Sequence, residues 1–310
     1  MRSRCTLPVS SLFLLVLIAL IAAGCALVGG GSRTGTLSLY LTDAPVDDLK
    51  EVNVTITKVQ VHRDGRWEVV REYPEGLTVN LLDLRFQDLL LGKATLPAGA
   101  YTQIRLYVDD STVERSNVVD HSGAVWPLDV PSGPQSGLKI HHNFVVPHGG
   151  AVHLLLDVNV RKFVVKSGAS GYYRMNPTAI RVVDKTAAGA VTGRVLDAET
   201  GEPIRHTDVV VTLWRDDDRN GRPDTLEPVA ETLALREDVI GEDGTFRPAG
   251  SFQLNGVPER KGGSYLLQVT AEGYAPWERT GIVVSRGTIV EIDGEPSTSA
   301  VDPILLQPAP

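Results

Sequence analysis

Twelve consecutive residues, Asp216-Asp-Asp-Arg-Asn-Gly-Arg-Pro-Asp-Thr-Leu-Glu227, crowd more oxygen donors together than the chain around them does. Counted from Asp216, side-chain oxygens fall at positions 1, 3, 5, 9 and 12 (Asp216, Asp218, Asn220, Asp224 and Glu227), with Gly221 at 6 and the Arg222 carbonyl at 7. A hard cation takes six to eight oxygens, and a tight turn at glycine lets alternate side chains converge on it. That spacing is the spacing of a calcium loop. Left without a cation, carboxylates this close repel one another. Pro223 stands where such loops usually carry an apolar residue, and the preceding Val209–Trp214 reads as a strand rather than a helix. The expectation is a bound calcium ion stiffening an inserted loop; the plain alternative is a solvated acidic insertion.

Other constellations are weaker. His141, His142, His148 and His153 fall close together, but neighbours on a strand point to opposite faces and a Pro-His-Gly-Gly turn interrupts them, which disfavours zinc. Ser132 and Lys139 form a conceivable dyad, yet the surrounding glycines and prolines explain a loop there. No G-x-S-x-G, G-x-x-x-x-G-K, G-x-G-x-x-G or H-E-x-x-H occurs, so an enzyme is not the expectation. A sugar packs its apolar face on an exposed ring, and Tyr274 with Trp277 are the first candidates, followed by Tyr172 and Tyr173.

These groups need a compartment and a scaffold. Arg2 and Arg4 precede an apolar run, Leu12 to Cys25, ending Ala-Ala-Gly-Cys. It has the layout of a signal peptide and is too short for a bilayer core of about 30 Å. The run resembles a bacterial lipobox, with residues 1–24 removed, Cys25 lipidated and 25–34 left as a flexible tether; Ala22 stands where that pattern favours Leu. Cys5 and Cys25 are the two cysteines, so no disulfide framework is available. Removing residues 1–24 takes away two arginines and no acid, leaving 28 basic against 38 acidic side chains, a net −10. An acidic surface argues against nucleic acid.

The remaining length suits two domains, and short Val-, Thr- and Leu-rich runs between glycines and prolines favour strands. Leu37, Leu39 and Leu41 alternate with Thr36, Ser38 and Tyr40, and Asp43-Ala-Pro45 closes that strand. Val52–Val61 alternates in the same way and meets Trp67–Val70 across Arg63-Asp64-Gly65-Arg66, a strong hairpin signal. In LPAGAYTQIRLYVDD, Tyr101, Gln103, Arg105 and Tyr107 alternate with Thr102, Ile104, Leu106 and Val108. Leu138 and Ile140, then His153–Val160 and Ala179–Val183, extend the pattern to about nine strands, an antiparallel sandwich.

GTLSLYLTDAP, VNVTITKVQVH, LPAGAYTQIRL, VPSGPQSGLKI and LLLDVNVRKFVV resemble, in that order, the domain of unknown function DUF4382 of exported bacterial and archaeal proteins, over about residues 35–185. The family implies no activity. Asp43, Arg105, Ser132, Lys139 and Asp157 are the polar residues in its motifs, candidates for a shared site or for turns and mutual pairing. Lys185–Gly189 is a small connector. Beyond it, Gly193, Gly201, Pro203, Asp243-Gly244, Phe246, Tyr265 and Glu272-Gly-Tyr274 resemble the carboxypeptidase regulatory-like domain over 190–308, a transthyretin-like sandwich, here with the acidic insertion at 215–228. Some such domains carry a lysine–asparagine crosslink. No lysine stands in Val191–Val195 and no asparagine in Ile282–Leu306, so none is expected.

The expectation is thus an all-β chain of two tandem antiparallel sandwiches, immunoglobulin-like or transthyretin-like, tethered by lipid to the cell envelope. Its work would be non-catalytic binding of a carbohydrate or surface ligand. The alternatives are a structural spacer or protein-interaction or adhesion module, and, less favoured, a hydrolase of unknown type.

Overall fold

The computed structural model describes residues 33–44, 49–130, 136–168, 172–241, 244–292, 294 and 302–309. The targeting stretch with Cys25, and Ser132, lie outside the described residues. Among the described residues no helix is long and apolar enough to cross a membrane.

The stretch up to Asp184 is built from β1 (Thr34–Ala44), β2 (Leu49–Arg63), β3 (Arg66–Asn80), β4 (Leu89–Pro97), β5 (Gly99–Val108), β6 (Asn117–Asp120), β7 (Val125–Asp129), β8 (Leu138–Val146), β9 (Ala151–Asn159), β10 (Val164–Ser167), β11 (Tyr172–Met175) and β12 (Ile180–Asp184). One sheet runs β12-β9-β1-β4; the other runs β10-β11-β7-β6-β2-β5-β8, with β3 paired to β2. Alternation supplies the core between them: Val59 and Val61 of β2 and Ile104, Leu106 and Val108 of β5 are buried, while Lys58, Gln60, His62, Arg105 and Tyr107 face outward. The β2–β3 hairpin turns at Asp64 and Gly65, both with positive φ, as two-residue Asp-Gly loops do.

Two details depart from the simple pattern. The sandwich is not antiparallel throughout, since β1 runs parallel to β9 and β11 parallel to β7. Partners separated by a long stretch of chain need no hairpin, so either direction is open to them. Tyr101 also joins the core instead of the polar row, because the β5–β8 register shifts between Tyr101 and Gln103. A one-residue slip moves a side chain to the other face.

After Asp184, the strands are β13 (Ala188–Asp197), β14 (Val209–Arg215), β15 (Ala230–Leu233), β16 (Val239–Ile240), β17 (Phe246–Arg247), β18 (Ser251–Pro258), β19 (Tyr265–Ala271), β20 (Trp277–Ile282), β21 (Ile289–Ile292) and β22 (Ile304–Leu306). β18-β13-β21, with β22 on β13, faces β15-β14-β19-β20. A second core fills the space between, from Val191 to Leu306. Here too β21 and β22 lie parallel to β13.

The two cores meet at β9, β12 and β18. On β9 the run Leu154-Leu155-Leu156 is buried on both faces: Leu154 and Leu156 enter the first core, while Leu155, 1% exposed, belongs to neither core cluster. Val183 stands opposite Leu155 on β12 and is buried with it. Gly256 of β18 covers the pair. Its φ is +60°, and a Cβ there would sit 3.2 Å from Leu155 Cδ2 and 3.4 Å from Val183 Cγ2.

Arg181 closes the junction. Its Nε donates to Asp157 Oδ2 at 3.1 Å and an Nη joins the same oxygen, while the Nη atoms also reach the carbonyls of Gly256 and Asn255, each at 3.1 Å. Asn255 Nδ2 donates back to Thr42 Oγ1 at 3.2 Å and to the Arg85 carbonyl at 3.3 Å. The covalent connection is short: a turn at Lys185–Ala187, capped by Asp184, leads straight into β13. Replacing Arg181 with Ala strands a mostly buried carboxylate and two carbonyls, a cost of about 2 kcal/mol. Urea unfolding should show that loss, and small-angle scattering should show a broadened distribution of maximum dimension; an unchanged profile would mean that the junction does not depend on Arg181.

Candidate functional site

The acidic loop leaves β14 and is anchored at its first residue. Asp216 is fully buried, its amide donates to the Ser264 carbonyl at 3.1 Å, and Ser264 Oγ donates back to the Asp216 carbonyl. Its carboxylate faces the loop interior and accepts from the amides of Asn220 at 2.9 Å and Gly221 at 3.3 Å. Asn220 Nδ2 donates to Asp218 at 2.7 Å, Asn220 Oδ1 accepts from the Arg222 amide at 2.8 Å, and Asp224 accepts from the Asp217 amide at 2.6 Å. Arg260 pairs with Asp217 through Nε at 3.0 Å. The loop therefore satisfies its oxygens on its own amides, with Arg219 and Gly221 at positive φ making the turn.

Glu227 is placed differently. It lines a hollow of about 220 Å³ with Asp157, Lys162, Arg181 and Glu231, on the seam between the two cores. Among the described residues no group of three or more His, Cys, Asp or Glu stands close enough to hold a metal. Asp216, Asp218, Asn220, Arg222 and Asp224 thus share one turn, and Glu227 lies where that turn meets the first core.

The polar residues of the DUF4382-like motifs separate into two groups. Asp43 and Asp157 lie in the β12-β9-β1-β4 sheet, where Asp43 is buried at the end of β1 and Asp157 holds Arg181. Arg105 and Lys139 lie in the other sheet, directly opposite each other on β5 and β8. The structure does not bring these four to one point.

Tyr274 and Trp277 pack against the second core. Tyr274 Oη donates to Asp197 Oδ2 at 2.6 Å, and its ring lies 5.9 Å from that of His206. Tyr172 is the more open ring at 51% exposure, whereas Tyr173 packs on the first core. Tyr172 borders a hollow of about 440 Å³ with Asp110, Ser111, Thr112, Asp129 and Arg174. Arg174 Nε donates to Asp129 at 2.9 Å, and Asp110 accepts from the Val130 amide at 3.0 Å.

The fold and these surfaces define a strand-built sandwich protein. Residues 34–177 match the family described as "Domain of unknown function (DUF4382)". No curated protein matches the chain. Among solved structures, the chain is similar to a leucine-rich repeat protein from Bacteroides thetaiotaomicron at 16% identity, covering 90% of this chain and 27% of that one, with a TM-score of 0.22. It is also similar to the minor pilin GBS52 of Streptococcus agalactiae at 12% identity, covering 88% and 96%, TM-score 0.22. A third is the shaft pilin spaA of Lactobacillus rhamnosus, at 14% identity, covering 89% and 99%, TM-score 0.21. Likenesses at this level carry no functional inference.

Arg181, Asn255 and Gly256 were not singled out by sequence reasoning. The unbroken Leu154–Leu156 run was the available signal, because a strand that fails to alternate has both faces covered.

Four tyrosine hydroxyls are raised above 10.0, those of Tyr73 and Tyr101 by burial and two others further. Burial pushes the Tyr265 hydroxyl up to about 12, and the bond to the Asp197 carboxylate pushes Tyr274 up to about 12, from 10.0. The same bond holds Asp197 below its ordinary 3.8. Raised tyrosine values contribute stability that is complete below pH 10 and is lost as pH climbs toward 12; the lowered Asp197 value contributes stability lost as pH falls below 3.8. Tyr274→Phe should weaken both flanks of the stability–pH curve measured by urea unfolding, and tyrosinate absorbance should show one late-titrating ring fewer.

Proposed function

We propose that this chain is an exported, lipid-anchored, non-catalytic binding protein of the cell envelope, facing the periplasm or the cell exterior, whose ligand is a carbohydrate. In this reading Cys25 carries the lipid, residues 35–185 and 190–308 are two sandwich domains, and the second is carboxypeptidase regulatory-like. The observation that carries the ligand class is the hollow beside Tyr172. Its volume of about 440 Å³ falls in the range of small-molecule sites. One exposed ring gives the apolar face of a sugar a stacking surface, while Asp110, Ser111, Thr112 and the Asp129–Arg174 pair supply convergent acceptors and donors for hydroxyls. A glycan array probed with the soluble chain from Ser32 onward should give binding to neutral saccharides that Tyr172→Ala reduces about tenfold, the size of one good stacking contact. A blank array would favour the second reading, a rigid spacer or protein-interaction module, for which the Arg181 junction is the supporting observation.

The acidic loop serves either reading as a calcium-stiffened segment. Asp216 is already anchored and aimed inward, and the loop's remaining oxygens lie on one turn; calcium would draw Glu227 from the seam to complete the set. Titration calorimetry of the whole soluble chain should give calcium binding that Asp216→Asn with Glu227→Gln weakens by at least about tenfold. Unchanged affinity in that double variant would sink the assignment.

A further inference from the structure

The outer face of the larger sheet carries a second, differently built surface. β2 lies between β3 and β5, and β5 lies between β2 and β8. Register places outward residues in rows across the four strands. Trp67, His62, Gln103 and His141 form one row; Val69, Gln60, Arg105 and Lys139 form the next; Glu72, Lys58 and Tyr107 form the third.

Two cations in these rows are stacked on rings. The Arg105 guanidinium lies 3.8 Å from the Trp67 ring centroid, and Lys58 Nζ lies 4.4 Å from that of Tyr107. His62 stands 4.8 Å from Trp67 on the same face. Arg105 Nε donates to Gln103 Oε1 at 3.3 Å, which fixes the plane of the guanidinium and keeps its two Nη groups as a fork suited to a carboxylate or sulfate. Lys139 and His141 are exposed at the β8 edge. Glu72 is the one carboxylate among these rows, on a chain whose net charge is −8.

We propose that this face binds an acidic polysaccharide, laid across β3-β2-β5-β8 with its carboxylates or sulfates on Lys58, Arg105 and Lys139, the Trp67 and Tyr107 rings holding two of those cations in place. It shares the carbohydrate class with the function proposed above but not the Tyr172 hollow. An open sheet face suits an extended polymer rather than a small enclosed ligand, and cations spaced across its strands match a chain that carries charge at intervals. Nucleic acid fits less well, because its dense phosphate charge meets the repulsion of a strongly acidic protein.

The test is affinity electrophoresis of the soluble chain through gels containing polygalacturonate, chondroitin sulfate or neutral dextran, with a single-stranded oligonucleotide and phosphatidylglycerol vesicles as competitors. Both acidic polymers should retard the wild type and dextran should not. Arg105→Gln with Lys139→Gln should weaken retardation at least about tenfold, since each removes a charge-assisted contact. Lys139→Glu alone, at an exposed position that leaves the core untouched, should weaken it in the same direction, and Tyr172→Ala should leave it unchanged. The proposal is overturned if the wild type is not retarded, if folded Lys139→Glu is retarded as strongly as wild type, or if the oligonucleotide or vesicles compete better than free polygalacturonate. Loss of neutral-glycan binding in Tyr172→Ala, with acidic-polymer binding intact, separates the fate of this face from that of the hollow.

Discussion

One guanidinium holds two cores in a common frame. Arg181 takes its charge partner, Asp157, from its own sheet and its neutral acceptors, the carbonyls of Asn255 and Gly256, from the strand that covers that sheet. Such a fork works only at fixed geometry, since donors on one rigid plane must find acceptors on both β9 and β18. Leu155 and Val183 supply the apolar part of the same contact, and Gly256 supplies the space, because a side chain there would press on both while demanding a left-handed backbone. A connector of one short turn then leaves little slack for relative motion. Glu227, at the end of the acidic loop, lines the same hollow as Asp157 and Arg181.

Much of the architecture was legible in the sequence because it is local. Alternation in β2 and β5 named the buried and exposed rows, and Asp64-Gly65 named the hairpin before any partner was known. What was not legible depends on pairing between distant segments. Nothing in Thr34–Ala44 says that its neighbour on one side is a parallel strand more than a hundred residues on, and the slip that buries Tyr101 is set by β8 rather than by β5 alone. The candidate site divides in the same way. The loop from Asp216 to Asp224 was visible as spacing, whereas the separation of Asp43 and Asp157 from Arg105 and Lys139 required knowing which sheet each strand enters. Tyr274 stood out as a candidate stacking ring or as a packed turn residue, and the bond of its hydroxyl to Asp197 could not be read from its neighbours in sequence.

The acidic loop shows how a chain manages close carboxylates. Each of Asp216, Asp218 and Asp224 accepts a hydrogen bond from the loop itself, and Asp217 takes Arg260. Backbone amides offset repulsion without adding counter-charge, and they also fix the direction in which each oxygen points. The same bonds that quiet the loop therefore prearrange it. Asp216 is the pivot, since it alone is fully buried and is bonded through its amide, carbonyl and carboxylate.

Acidic and basic side chains cluster in two separate places on this chain. The acidic loop follows β14 in the second stretch of the chain, while the β3-β2-β5-β8 face gathers Lys58, Arg105 and Lys139 around a single carboxylate, Glu72. Were these cations there only for solubility, they would need no fixed orientation, because exposed lysines and arginines gain little from being held still and lose side-chain entropy when they are. Arg105 is held on both sides, by the Trp67 ring and by Gln103, and Lys58 by the Tyr107 ring. Those contacts lower the entropy that a ligand would otherwise have to remove on binding. A sheet positions such pairs well because its register is locked by the core beneath, where Val59, Val61, Ile104 and Leu106 alternate with the residues above. The rigidity of the face is thus inherited from the same alternation that builds the sandwich.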